Sequence, residues 1–225
     1  MDKVCLILFM SFLTGAHVHA NEDWSLAGKV SSQGLGLELG HPLSGNRHLN
    51  GRVAAYLFNY SDTITESGID YDVSVQLRSA GLLLDWHPGG AAFRFTVGGY
   101  YNGNEGDMEA KSINGSFNIN GTLYNVNDVG SLKGDLAYGS SAPYLGIGWG
   151  NVAATKRGWG MAWDLGVLYQ GEPDIGLNVS CAPSLTSGQC ATLTNDVEAE
   201  SQSLRADLED NKWYPVLSLG VQYRF

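Results

Sequence analysis

Residues 213–225 read WYPVLSLGVQYRF, and at a period of two they separate cleanly into two faces. Trp213, Pro215, Leu217, Leu219, Val221, Tyr223 and Phe225 fall on one, and Tyr214, Val216, Ser218, Gly220, Gln222 and Arg224 on the other. Neighbouring side chains of a strand point to opposite sides of its sheet, so this is a strand with one unbroken apolar side. The sequence closes on that side, at Phe225.

The same grammar recurs upstream. In residues 159–170, Trp159, Met161, Trp163, Leu165, Val167 and Tyr169 oppose Gly160, Ala162, Asp164, Gly166, Leu168 and Gln170. In residues 143–150, Leu145, Ile147 and Trp149 oppose three glycines, and in residues 93–102 Phe93, Phe95, Val97 and Tyr101 oppose Arg94, Thr96 and Asn102. Residues 71–86, 49–58 and 35–42 alternate as well, and residues 174–180 and 132–139 add two weaker spans. Aromatic residues near both ends of an apolar strand face are what the two interfaces of a membrane select. Composition agrees, because the 225 residues hold 30 glycines and 11% aromatics but only 16% charged residues, below the usual quarter. GLGLELG at residues 34–40 superficially suggests a phosphate loop. No helical pattern follows it and no Lys-Ser/Thr closes it.

Residues 1–20 read as a secretory signal peptide, with Lys3, a mostly apolar run over residues 4–16, and Val18-His19-Ala20 at the cleavage site. That leaves residues 21–225 as one domain. Beyond residue 20 no apolar run is long enough to span as a helix, so insertion must be by strands. The formal charge of −10 is unchanged by removal of residues 1–20, which carry only Asp2 and Lys3; such acidity argues against nucleic acid as a partner. Cys181 and Cys190, the two cysteines past the leader, are expected to form a disulfide in an exported protein.

The expected fold is all-β: a closed antiparallel up-and-down transmembrane barrel of about eight to ten strands, ten favoured, with a short acidic helix before the last strand. Counting strands favours ten, because nine alternating spans call for an even number, supplied by a further strand over residues 24–31. Running the parity back from the last strand places the turns at residues 171–174 and 87–90 on the periplasmic side. The alternative is that one weak span, residues 132–139 above all, is not part of the wall.

APYLGIGWGN, WGMAWDLGVLYQGEP and YPVLSLGVQYRF, together with the leader, resemble small Gram-negative outer-membrane β-barrels of the OmpA/OmpW-like kind. The Tyr223-x-Phe225 ending resembles their C-terminal assembly signal, which implies the barrel-assembly machinery as a partner and the outer membrane, with its lipid and lipopolysaccharide, as the location. The resemblance implies no particular activity, since this fold hosts porins, adhesins and hydrolases.

The lumen face is expected to carry Glu38, Arg52, Asp72, Arg78, Arg94 and Asp164, along with Gln76, Gln222 and Arg224. These groups pair across a narrow barrel or line a gated channel. Past the leader the histidines are His41, His48 and His87, all near turns, without the spacing of a metal site or a motif tying a serine to them; no catalytic, metal or cofactor residue is expected. Asp196, Glu198, Glu200, Asp207, Glu209 and Asp210 form an acidic helix face, which could bridge through divalent cations to lipopolysaccharide phosphates. The expected role is structural, narrow-pore or surface-binding. An outer-membrane lipid hydrolase and a lateral-opening carrier of small apolar solutes are the alternatives.

Overall fold

The computed structural model describes residues 24–43, 48–66, 69–110, 115–151 and 157–225, and the expected signal peptide lies outside the described residues. Thirteen strands and one α-helix follow in chain order: β1 (Ser25–Ser31), β2 (Gly34–Pro42), β3 (Leu49–Glu66), β4 (Ile69–Trp86), β5 (Phe93–Asn102), β6 (Glu105–Ala110), β7 (Ser116–Ile119), β8 (Thr122–Asn125), β9 (Val129–Ala137), β10 (Ser141–Trp149), β11 (Gly158–Tyr169), β12 (Asp174–Cys181), α1 (Ser187–Leu208) and β13 (Trp213–Arg224).

Eight of the strands close a ring in the order β1-β2-β3-β4-β5-β10-β11-β13, every pair antiparallel. The final strand completes it: β13 pairs with β11 on one side and with β1 on the other, from Ser25 opposite Arg224 to Ser31 opposite Ser218. The extra strand expected over residues 24–31 therefore exists. The ring has eight strands and not the favoured ten, because spans 132–139 and 174–180 are β9 and β12, outside it.

These two strands, with β6, carry the wall beyond the ring. β6 prolongs β5 along β4 in one continuous register, from Ser79 opposite Asn102 to Gln76 opposite Glu105, interrupted at Gly103-Asn104. β9 leads into β10 in the same way, and β12 then pairs with β9. With the far halves of the 18-residue β3 and β4, they make a sheet rising from one side of the barrel. The turn at residues 171–174 thus lies at the end opposite the chain termini, contrary to the parity expectation. The turn after β4 lies at the terminal end, as expected.

Along the ring the outward residues are apolar and exposed, with Leu82 at 69% and Leu217 at 63%. A continuous band of this kind is incompatible with a water-facing monomer and suits lipid. Aromatic residues rim the band at both ends. Trp159, Tyr223 and Phe225 pack edge to face at the terminal end, and Tyr169 meets Trp213 at the other.

Beyond the ring the two faces exchange polarity. The inward face of the raised sheet is apolar and is covered by α1 and the β7-β8 hairpin. Ile69, Phe117, Ile119, Val126, Val129, Leu193 and Val197 form a second core, separate from the one inside the barrel. The acidic helix, expected short, runs 22 residues from a capping box in which Thr186 and Gln189 satisfy each other's backbone groups. The Cys181–Cys190 disulfide ties the end of β12 to its first turn. We call this sheet, hairpin and helix the head.

Candidate functional site

The inside of the barrel is filled in layers. At the terminal end, Asn50, His87 and Asn151 are all 0% exposed. The His87 ring lies with Nδ1 3.0 Å from the Ala91 carbonyl and 3.1 Å from that of Phe93, so Nδ1–H is the donor and Nε2 accepts from Asn50 Nδ2 at 3.0 Å. Asn50 also donates to Asn151 Oδ1 at 3.1 Å, and Asn151 donates to the Ala91 carbonyl at 3.0 Å. Burial lowers the His87 pKa, in the direction that the acceptor role of Nε2 requires. His87, expected as a turn histidine, sits in the turn after β4 and is a buried part of the barrel floor.

Above it lies an ionic layer from six strands: Lys29 (β1), Glu38 (β2), Arg52 (β3), Asp85 (β4), Arg94 (β5) and Asp164 (β11), each at most 5% exposed. Three cations meet three carboxylates. Arg52 forks onto Asp85 at 2.5 and 2.9 Å and reaches Glu38 at 2.6 Å and Asp164 at 3.2 Å. Arg94 reaches Asp164 at 2.7 Å, and Lys29 bonds Asp164 and sits 2.8 Å from Glu38. Remaining lone pairs are taken by Thr96 on Asp85 at 2.6 Å, Ser218 on Asp164 at 3.1 Å and Tyr56 on Glu38 at 2.6 Å. The next layer is apolar, with Tyr56, Tyr100, Tyr144, Leu83, Leu168 and Val216 in contact. The tyrosine rings lie over glycines; a Cβ on Gly81 would come within 2.6 Å of the Tyr100 ring. At the mouth Gln33 donates to Ser79 at 3.0 Å, beside the buried Asn102.

Four of the six expected lumen charges, Glu38, Arg52, Arg94 and Asp164, meet in this layer. Asp72 and Arg78 do not. They sit on the outward face of β4, where Asp72 bonds Thr63 at 2.8 Å and Arg78 bonds Gln76. The sequence phase of residues 71–78 assumed lipid outside and polar residues inside, but this stretch lies at and beyond the barrel rim, where that rule inverts. Lys29 and Asp85 are the lumen charges that the sequence reading lacked. Reading β4 backwards from His87, with Leu82, Leu84 and Trp86 outward, puts Asp85 inside.

The outward face of the head sheet forms a basin of about 860 Å³ around Asp72, Asp107, Glu109, Asp135 and Lys133. Asp107 stands opposite Asp135 and Asp72 opposite Glu109, with Lys133 3.3 Å from Glu109 as the compensating cation. On α1, Asp196 accepts from Tyr124 at 2.5 Å and Glu200 from the Asn120 backbone at 2.9 Å. The hydrogen bond to Asp196 raises the Tyr124 phenol to about 12, and the same bond lowers the Asp196 carboxyl. Two acids of the expected helix face thus fasten the β7-β8 hairpin. Among the described residues no group of three or more His, Cys, Asp or Glu has the arrangement of a metal site.

No protein-family model matches the chain, and no curated protein matches it. Among solved structures, CarO from Acinetobacter baumannii superposes with a TM-score of 0.60 at 24% identity, covering 91% of this chain and 98% of that one. CarO2 from Acinetobacter baumannii gives 0.60 at 24%, covering 90% and 98%. A major outer membrane protein from Thermus thermophilus gives 0.41 at 13%, covering 90% and 98%. The likeness to the two CarO structures shows a shared fold and does not single out the OmpA/OmpW-like kind.

Proposed function

We propose that this chain is an integral outer-membrane barrel with a sealed lumen, serving as a rigid anchor for an extracellular binding head. The observation that carries the reading is the ionic layer. Its three cations and three carboxylates are within hydrogen-bonding reach of one another and almost wholly buried, so no file of water separates them. A conducting pore would hydrate these groups, and closing it again would mean stripping water from six charges.

The apolar band, the two aromatic rims and the fold shared with CarO support the membrane location. With the termini on the periplasmic side, as is usual for such barrels, the head stands outside the cell. The amphipathic β13 with Tyr223 and Phe225 is the segment for the assembly machinery to engage, and lipid and lipopolysaccharide surround the band.

Reconstitution into planar bilayers tests the sealed lumen. The wild-type protein is expected to give no steps above the bare membrane, and reproducible unitary conductance would overturn the reading.

A further inference from the structure

We infer that the head holds a small uncharged apolar molecule in the cleft between the second half of α1 and the inward face of the head sheet. This rests on the head as the working part of the protein and specifies its ligand. The cleft has a volume of about 250 Å³. At roughly 25–30 Å³ per non-hydrogen atom, that is room for about eight to ten atoms.

The cleft exists because α1 packs unevenly. In its first half Leu193 and Val197 are buried, at 0% and 3% exposure, whereas Leu204 and Leu208 in its second half stay half-exposed over the sheet. Beneath them the sheet carries Gly106 and Gly134 instead of side chains. A Cβ on Gly106 would meet only Leu136, at 3.9 Å, so the floor there is open. Polar anchors hold the helix in this position: Arg205 donates to the Ile175 carbonyl at 2.6 and 2.9 Å, and Ser201 to the same oxygen at 3.3 Å. The disulfide fixes the other end of α1. The space therefore lies between elements held by directional bonds, where a close-packed interior would have side chains.

The lining sets the chemistry of the occupant. Val75, Met108, Leu136, Ile175, Leu204 and Leu208 offer aliphatic and thioether surface, which binds by removing apolar area from water. Ser74, Asp107 and Asp135 contribute only backbone here, their side chains lying on the outward face of the sheet, and Glu209 and Asp210 follow the helix. Among the described lining residues there is no cation to pair with a carboxylate, and the acids just past the helix end repel one, which selects a neutral molecule over a fatty acid of the same length.

The test uses the full chain in lipid nanodiscs with a photoreactive diazirine analogue of octanol, and labelled peptides are mapped by mass spectrometry. Labelling is expected to concentrate on residues 204–208 and Met108, to be competed by octanol, and to resist octanoate. Gly106→Leu, which fills the floor, should reduce it by roughly fivefold or more while labelling of residues 217–221 on the lipid-facing wall stays constant. Leu208→Asp, at a half-exposed helix position, is the second variant should Gly106→Leu fail to assemble, and it should give the same loss. Labelling of the helix no stronger than that of the wall, indifference to both variants, or equal competition by octanoate would overturn the proposal. Conductance of the same preparations reads the sealed lumen separately, so failure of one is distinguishable from failure of the other.

Discussion

Replacing Asp164 by asparagine removes one charge from the centre of the barrel with almost no change of shape. Asp164 meets three cations, Arg94 at 2.7 Å, Arg52 at 3.2 Å and Lys29, and accepts from Ser218 at 3.1 Å. The variant leaves Lys29, Arg52 and Arg94 against Glu38 and Asp85 alone, one cation in excess where side chains exclude water. Breaking a buried pair by removing one partner costs about 3–5 kcal/mol, whereas exposed pairs are worth about 0–1 kcal/mol. At about 1.4 kcal/mol per tenfold, the sealed lumen demands a fall in the folding equilibrium of more than a hundredfold.

The assay is reversible urea unfolding in phospholipid vesicles, followed by tryptophan fluorescence. Among the described residues Lys29 forms ion pairs with Glu38 and Asp164 alone, so Lys29→Met combined with Asp164→Asn restores equal numbers of cations and carboxylates. The double variant should be more stable than the sum of the single changes, by about 1–3 kcal/mol. A loss below about 1 kcal/mol for Asp164→Asn, with additive behaviour in the double variant, would mean that the charges are solvated and would refute the reasoning.

Three further outcomes follow from the head and the floor. The Cys181–Cys190 bridge spans nine residues, so replacing both cysteines by serine should destabilise the head by about 2–3 kcal/mol; limited proteolysis should then cut α1 while the barrel remains resistant. The Tyr124 phenol, raised to about 12 by its bond to Asp196, should ionise late in an alkaline titration, and Asp196→Asn should bring it down; an unchanged curve counts against that bond. His87 has a folded pKa below its unfolded value, so its contribution to stability is present above about pH 6.5 and is lost as pH falls through the folded pKa. The urea midpoint should therefore drop between about pH 8 and pH 5, less steeply in His87→Gln, and equal slopes would remove His87 as the cause.

The barrel was legible because lipid and lumen impose opposite demands on alternate residues, and β2, β5, β10, β11 and β13 obey them along their length. The residues placing Arg52, Arg94, Glu38 and Asp164 inside were legible for the same reason. The head was not, because its strands follow the opposite rule. Above the rim the inward face packs on α1 and the outward face meets water, so Asp72 reads as a lumen residue when it is an outer one. The ring of eight falls within the expected eight to ten, but the preference for ten did not hold: β9 and β12 alternate like wall strands, and only pairing shows that they continue past the membrane. Lys29 and Asp85 were hidden by weak local pattern, Lys29 in the seven-residue β1 and Asp85 where β4 is apolar on both faces. The cleft below Leu204 and Leu208 arises from helix placement over two glycines that are far apart in sequence, which no period of two or 3.6 reveals.

The central claim, a lumen filled by protein, is tested most directly by thiol accessibility inside it. Ala54 on β3 is 1% exposed in the tyrosine layer, and Ala54→Cys adds a single free thiol with little change in volume. Small charged thiosulfonate reagents, applied from both sides of protein-containing vesicles, are expected to leave that thiol unmodified while they modify Ser61→Cys on the exposed part of β3. Modification of Ala54→Cys at the rate of Ser61→Cys would show an aqueous path through the barrel and contradict the claim.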